Sequence, residues 1–353
     1  VEKMIRAEKY TADQMTPKER KQATEEKSSI DRLPVIPFIG EITGKLTGTT
    51  TDEYWHDAKK MAMSEIAAFN RLGHDELSCG PNTIGISEGL GAEICYPKEG
   101  MPYFSGRFLT DYKMLDQMEP LRTDSERMKF FREAGEQIRD AADGIVDVCP
   151  SIGGPFTIAA NLRGCEYFLR DCRKEPEMVH RLLRIVTDSM KNAIDMISGY
   201  ADGFRMADPV ASPALISPKY FREFAFPYLK ELMEYGFQKI GQRPSLHICG
   251  NTYKVWGYFR EMPIRAISLD NIMDLAKAKE ELGHQMILMG NIDPVGIILH
   301  GTKSELQQEI RREAGIAKDS EKGYIMASGC DVPYQTDWKK LDIWMDEVRK
   351  LTL

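Results

Sequence analysis

The chain has 353 residues, of which 42% are hydrophobic and 29% charged, and it carries a formal net charge of −7. This balance suits a soluble globular protein with a large core. The acidic charge argues against a nucleic-acid partner, since phosphate binding wants clustered Lys and Arg, and no apolar run approaches the roughly 20 residues that span a bilayer.

Residues 1–29 are polar with a helical pattern, and 1–27 hold no signal-peptide core. Within them Thr16-Pro17-Lys18-Glu19 has an N-cap, a Pro at the first helical position and a Glu three after the cap. A rhythm then begins. Short apolar runs lie at 33–39, 76–79, 144–149, 203–207, 245–249, 266–269, 285–289 and 323–327, the second being the weakest. Amphipathic stretches at helical spacing separate them, at 52–72, 123–145, 175–200, 217–235, 251–261, 274–282 and 302–314. Strands alternating with helices mean parallel strands and crossover helices. About eight such units predict an α/β fold, a (β/α)8 TIM barrel, as one domain over 1–353 with 1–30 as an N-terminal helical extension. The runner-up, an open doubly wound sheet, lacks a Gly-x-Gly-x-x-Gly after the first strand. Residues 79–112 break the rhythm and read as a long loop or small hairpin over the strand ends. The seven cysteines are scattered without a framework spacing, which favours a reducing cytoplasm.

In a barrel the chemistry sits at the C-terminal strand ends. Polar residues gather there: Glu41, Asn82, Asp208, His247 with Cys249, Asp270 with Asn271, Asn291 with Asp293, and Cys330 with Asp331. Residues two apart in a strand share a face, so His247 and Cys249 aim an imidazole and a sulfur at one space. If Cys330 closes on them from another strand, the set is His-Cys-Cys with an open fourth position, as in a catalytic zinc site. Separately, each is an ordinary core residue, a hydrogen-bonded His or a small buried Cys.

Several segments resemble the uroporphyrinogen decarboxylase superfamily. They are Thr16-Pro17-Lys18-Glu19-Arg20 with Asp31-Arg32-Leu33-Pro34-Val35, Gly154-Pro155-Phe156-Thr157-Ile158-Ala159, Ile216-Ser217-Pro218-Lys219-Tyr220-Phe221-Arg222-Glu223-Phe224 with Pro227-Tyr228, and Gly290-Asn291-Ile292-Asp293-Pro294. They spread over nearly the whole chain, and the resemblance implies the same barrel. True decarboxylases of that superfamily bind an eight-carboxylate tetrapyrrole through an Arg-rich segment after the first strand. Here that place reads Pro37-Phe38-Ile39-Gly40-Glu41-Ile42-Thr43-Gly44-Lys45, with an acid and no Arg. They also carry a His where this chain has Cys330. The other branch, the cobamide-dependent methyltransferases, is marked by His-x-Cys, a long gap and Cys, matched by His247, Cys249 and Cys330.

The resemblance therefore implies a zinc-dependent methyltransferase that moves a methyl group between a corrinoid protein and a small thiol or methylated substrate. The methylcorrinoid (cobalamin) is expected on a partner, because no Asp-x-His-x-x-Gly stretch occurs in the chain. Asp270 is a candidate fourth zinc ligand that gives way to substrate; its plainer role is to end a strand and cap a helix. Glu41, Asn82, Asp208, Asn271 and Asn291 are candidates for substrate contact or for orienting the ligands, with turn chemistry as the alternative. The direction of transfer stays open: a demethylase that loads the corrinoid from a methyl ether, thioether or halide fits as well. A metal-free decarboxylase-like barrel that binds a ligand is the remaining alternative. Three features read as decoys. Gly85-Ile86-Ser87-Glu88-Gly89 matches a nucleophile elbow without an apolar strand leading into it. Cys79 and Cys95 are expected to be buried small residues. His74 and His284 precede strands, at the end of a barrel opposite the chemistry.

Overall fold

The computed structural model describes residues 4–352. The strands are short: β1 (Val35–Ile36), β2 (Ile94–Cys95), β3 (Tyr103–Phe104), β4 (Ser151–Gly153), β5 (Arg205–Ala207), β6 (Ser245–His247), β7 (Ala266–Ser268), β8 (Ile287–Met289) and β9 (Tyr324–Ala327), of which β1 and β5–β9 lie in the expected apolar runs. Seven of them form one parallel sheet in the order β1-β9-β8-β7-β6-β5-β4. Chain neighbours are sheet neighbours from β4 to β9, and each pair is joined through helical segments on the outside, as parallel pairing requires. β1 then pairs parallel with β9, Val35 opposite Met326. The sheet is thus curled, with β1 and β4 as its two edges.

Between those edges run residues 75–79, which hold the weakest of the expected strands, 76–79. Asp75 N donates to Val35 O on one side at 2.9 Å, and Leu77 N donates to Asp147 O on the other at 3.0 Å. Leu77 and Val148 form a single parallel bridge and no regular strand develops. The run expected at 144–149 is also displaced: the ladder strand is Ser151–Gly153. Its register is fixed by β5, with Gly153 opposite Ala207. A bulky apolar residue does not fit there, because a Cβ on Gly153 would lie 2.7 Å from the Thr83 Cα. Patterning that looks for apolar runs passes over such a strand.

The helices follow the expected spacing with local breaks. Thr16 forms a full capping box with Glu19 at the start of the helix Pro17–Glu25. This is the one helix among the described residues before position 30, so the extension is less helical than its pattern predicts. The stretch 52–72 splits into Thr51–His56 and Ala58–Leu72, because Asp57 caps the second helix through Lys60 N. The stretch 251–261 yields only short turns of helix, Tyr253–Val255 and Trp256–Phe259. Residues 79–112 hold a short helix (Thr83–Gly89) and the antiparallel hairpin β2–β3. Ser87 is inside that helix, buried and donating to Thr83 O at 2.6 Å, which removes the nucleophile-elbow pattern.

Below the N-terminal ends of the strands sits a closed ionic cluster. Arg20 and Arg32 are both buried and share Asp13 and Asp75. Asp31 takes Arg20 Nε at 2.7 Å, and Arg349, near the other end of the chain, donates to Asp13 at 2.7 Å. Asp75 also accepts Val35 N at 2.7 Å, which ties the cluster to β1.

Candidate metal centre

Two strand ends, those of β6 and β9, deliver the sulfurs and the imidazole. His247 is the last residue of β6, paired with Ala207 on one side and Ser268 on the other. Cys249 follows two residues on and faces the same cavity as His247. The chain then turns at Gly250, whose φ of +75° favours glycine and whose N–H donates to Asp270 Oδ2 at 2.6 Å. Cys330 stands past the end of β9, next to Gly329. A Cβ on Gly329 would lie 2.4 Å from Asn271 N. Glycine at that position therefore lets the Cys330 loop close over the end of β7.

His247 Nε2 lies 3.2 Å from Cys249 Sγ, and the two sulfurs are 4.0 Å apart. The three ligand atoms all fall within 4.8 Å of one another. In a tetrahedral zinc site, bonds of about 2.3 Å to sulfur and 2.0–2.1 Å to nitrogen put ligand atoms roughly 3.6–3.8 Å apart. The 3.2 and 4.0 Å separations bracket that spacing. Nδ1 of His247 is 3.0 Å from the buried Ser268 Oγ. A proton on Nδ1 that donates to Ser268 leaves the Nε2 lone pair facing the sulfurs, the tautomer a metal requires. The thiols do not titrate independently. The hydrogen bond from Cys249 and then His247 hold Cys330 well below the usual thiol range, while the Cys330 sulfur and burial push Cys249 far up. A divalent cation would favour both thiolates.

The three residues line a cavity of about 220 Å³. Phe38 stands edge-on to His247 at 6.3 Å between ring centroids, and Arg205 lies over the Phe38 ring at 4.8 Å. Glu41 is buried in the wall, pushed up to about 7 by burial and then by Asp331, and accepts Trp55 Nε1 at 3.1 Å. Glu65, also pushed up to about 7 by burial, accepts Tyr54 Oη at 2.7 Å and Thr43 Oγ1 at 2.9 Å. Asp331 is raised to about 6, first by burial and then by the neighbouring Cys330.

Of the residues singled out by sequence, Glu41 and Asn82 line this cavity with the metal set, and Asp208, Asp270, Asn271 and Asn291 are not among its lining residues. Asn82 also caps the helix Thr83–Gly89, accepting Ile84 N at 2.9 Å. Asp208 is fully buried and accepts from Thr157 N at 2.7 Å and Thr157 Oγ1 at 2.6 Å, so its carboxylate caps the helix Pro155–Arg163. Burial raises it to about 6 even so. Asp270 accepts from Gly250 N and, at 3.0 Å, from Ile272 N. Asn291 donates to Asp270 O at 2.9 Å and Met273 O at 2.8 Å, joining the loops after β7 and β8. Asn271 contributes the backbone on which Gly329 packs. Asp293 caps its own turn through Val295 N at 2.9 Å.

One expectation is corrected. His74 does precede its strand segment, yet it lines the cavity, together with Glu76 and Arg205. The cavity runs down between the short strands, so a residue at the strand starts reaches the same space as one at the strand ends. Sequence alone also passed over Glu65, Ser268 and Arg205. Ser268 ends β7 and is the registered partner of His247. Cys79 lines the cavity as well, but it is buried with its sulfur 3.4 Å from Met61 Sδ, and burial pushes its thiol far above the usual range. Tyr334 and Trp338 are buried and lie outside the cavity lining.

The chain is 24% identical over 332 residues to a methylated-thiol–coenzyme M methyltransferase of Methanosarcina mazei, covering 93% of this chain and 88% of that one. It is 26% identical over 331 residues to a methylcobamide:CoM methyltransferase of the same organism, covering 91% and 94%. A uroporphyrinogen decarboxylase of Trichodesmium erythraeum matches at 25% over 249 residues, 67% of each chain. A solved structure described as a methyltransferase from Methanosarcina mazei superposes with a TM-score of 0.77 at 23% identity, covering 95% of this chain and 98% of that one. The model of the uroporphyrinogen decarboxylase family matches residues 16–351. A curled parallel sheet with its polar ends on one cavity, and a match running almost end to end, agree: the chain belongs to the uroporphyrinogen decarboxylase family.

Proposed function

We propose that this chain is a zinc-dependent methyltransferase that moves a methyl group between a corrinoid carried by a separate protein and a small thiol or methylated substrate. The observation that carries the reading is the convergence of His247, Cys249 and Cys330 within 4.8 Å at one end of the sheet. The relatives matched over nine-tenths of the chain are named as methyltransferases, one for a methylated thiol and one for a methylcobamide, which supports both the corrinoid and the sulfur partner. The hydrogen bonds that 75–79 makes to both sheet edges support a closed (β/α)8 barrel as the full architecture. The ion pairs of Asp13 and Arg20 to Asp75 and Arg349 support a single domain over 1–353 with 1–30 as an extension. The unframed cysteines favour a cytoplasmic setting. No helix among the described residues is long and apolar enough to cross a membrane.

His247, Cys249 and Cys330 would hold the zinc. When bound, zinc lowers the proton affinity of a sulfur at the open position and keeps it nucleophilic beside two thiolates. The chain's own residues set that chemistry up. Ser268 fixes the imidazole by accepting from Nδ1. Asp270 acts as a positioning residue: it holds the Gly250 N–H, and through it the Cys249 loop. Asn291 fixes the Asp270 loop in turn. Phe38 covers one edge of His247, and Tyr54 and Trp55 line the wall with Glu41, which limits water near the sulfurs. Glu41 and Asn82 are the candidates for direct substrate contact. Asp208, Asn271 and Asn291 serve the frame. An eight-carboxylate tetrapyrrole is disfavoured, since among the described residues Arg205 is the one Lys or Arg lining a cavity with four carboxylates, Glu41, Glu65, Glu76 and Asp331.

The test is zinc per chain, measured by elemental analysis on protein purified without air or chelator, alongside Cys330→Ala. About one zinc per chain in the wild type, lost in the variant, and methyl release from methylcobalamin to thiols would support the reading. A wild-type chain without zinc, and unable to regain it, would return the protein to a metal-free, decarboxylase-like barrel.

A further inference from the structure

Below the sulfurs, the inner end of the cavity holds His74 Nδ1, which makes no hydrogen bond, and Glu76 Oε1 and Arg205 Nη1, which have only each other. All three residues line the cavity. His74 is 3% exposed and the Glu76 side chain 9%, so water is not freely at hand to serve them. A buried donor or acceptor left unmade is costly. An unpaired ring nitrogen beside a lone ion pair on one cavity wall is a pattern a bound polar group would resolve. Arg205 and Glu76 do form an ion pair at 3.2 Å, so the arginine's charge is already answered. Burial drives His74 down to about 4, so it adds no positive charge near neutral pH.

The cluster lies within reach of the metal centre. Ala207 is in register with His247, and Arg205 is two residues before Ala207 on the same face of β5. At about 3.3 Å per residue that is a drop of roughly 6.6 Å. The Phe38 ring stands between Arg205 and His247 and forms an apolar wall along that path. A small molecule with sulfur at one end, a short alkyl spacer and a polar group at the other would span it.

We propose that this inner cluster is the subsite for the remote end of the small thiol or thioether, and that this end carries an ammonium group, alone or within a zwitterion, rather than a lone anion. The inference rests on the methyl-transfer reading of the metal centre. The cavity offers His74 Nδ1 without a partner, Glu76, Glu65 and Glu41 as carboxylates on its wall, and, among the described residues, one arginine that is already paired with Glu76. An isolated sulfonate or phosphate there would meet more negative than positive charge. An ammonium would give the Glu76 carboxylate a second cation and His74 Nδ1 a donor. An accompanying carboxylate could share Arg205 with Glu76.

The test is equilibrium binding to the zinc-loaded full chain, by calorimetry, of three matched probes: S-methyl cysteamine, S-methyl mercaptoethanol and S-methyl mercaptoethanesulfonate. The amine is expected to bind at least tenfold tighter than the sulfonate, with the alcohol between them. Glu76→Gln should weaken the amine about tenfold and leave the alcohol unchanged. Equal binding of amine and sulfonate, or a preference for the sulfonate, would overturn the proposal. So would a wild-type amine preference that Glu76→Gln and Glu65→Gln both leave intact. Methyl transfer to the corresponding free thiols, assayed in parallel, separates the two ideas: amine preference without any turnover would uphold the subsite and sink the methyl-transfer reading.

Discussion

The two ends of the sheet bury carboxylates in opposite ways. At the base, Asp13, Asp31 and Asp75 are matched by Arg20, Arg32 and Arg349. Burial pushes Asp31 up, but Arg20 and the Met15 N–H overcome it and hold it near 2; Asp13 is likewise lowered, by Arg32 and Arg349 against burial. In the cavity, Glu41 and Glu65 are buried with neutral donors only, and burial takes both to about 7. A carboxylate surrounded by arginine has no bonding capacity to spare and holds the chain together. One left without a cation is costly to the fold and free for a ligand. The base reads as structure and the cavity as function, and the contrast can be broken at either end.

The largest effects should come from removing whole partners. Cys249→Ala or Cys330→Ala is expected to weaken zinc by on the order of 3 kcal/mol, about a hundredfold or more, if a site of this kind shares its binding energy among its ligands. Methyl transfer should become unmeasurable while far-UV circular dichroism is unchanged. At the base, Arg20→Met strips Asp31 of its main partner and leaves Asp75 with one arginine fewer. A loss of about 3–5 kcal/mol in urea unfolding is expected, with zinc content per folded chain unaltered. Zinc loss in Arg20→Met, or unfolding in Cys330→Ala, would erase the distinction between the two ends.

A smaller effect belongs to Ser268. Ser268→Ala frees His247 Nδ1 from its one hydroxyl acceptor and should weaken zinc about 10–100-fold. Competition with a chelator reads this directly, and Ser268→Thr should restore most of the loss. Smaller still is the pH response. Glu41 and Glu65 have folded pKa values raised above the ordinary 4.5, so the stability linked to their protons is fully present below about pH 4.5 and is lost as pH rises toward 7. Asp31 works with the opposite sign: its contribution is present above about pH 3.8 and is lost as pH falls toward 2. Glu41→Gln should therefore flatten the fall in urea stability between pH 5 and 7 and leave the acid limb below pH 4 untouched. A variant that moved the acid limb instead would contradict the assignment.

Much of the site could be read from the chain because strand geometry is local. His247 and Cys249 are two residues apart in an apolar run, and Cys330 follows another run behind a glycine, so a shared cavity follows from the barrel alone. What could not be read depends on register. Ser268 matters because β7 places it opposite His247, which no single-strand pattern encodes. His74 and Arg205 reach the cavity because the strands are only a few residues long, so their starts are near their ends. Asp208 looked like a mouth residue, yet Gly154 brings the start of the next helix so close that a Cβ there would lie 2.2 Å from Asp208. The carboxylate is taken by that helix. β4 was displaced from its apolar run because it is built from Ser, Ile and Gly to admit a close neighbour.

The most direct measurement on the proposed centre is zinc-edge X-ray absorption of the zinc-loaded chain. The expected first shell has two sulfurs at about 2.3 Å and one imidazole nitrogen at 2.0–2.1 Å, with a further light atom in the open position that a thiol replaces with a third sulfur. A shell of oxygen and nitrogen only, or one that keeps two sulfurs in Cys330→Ala, would contradict a zinc held by His247, Cys249 and Cys330.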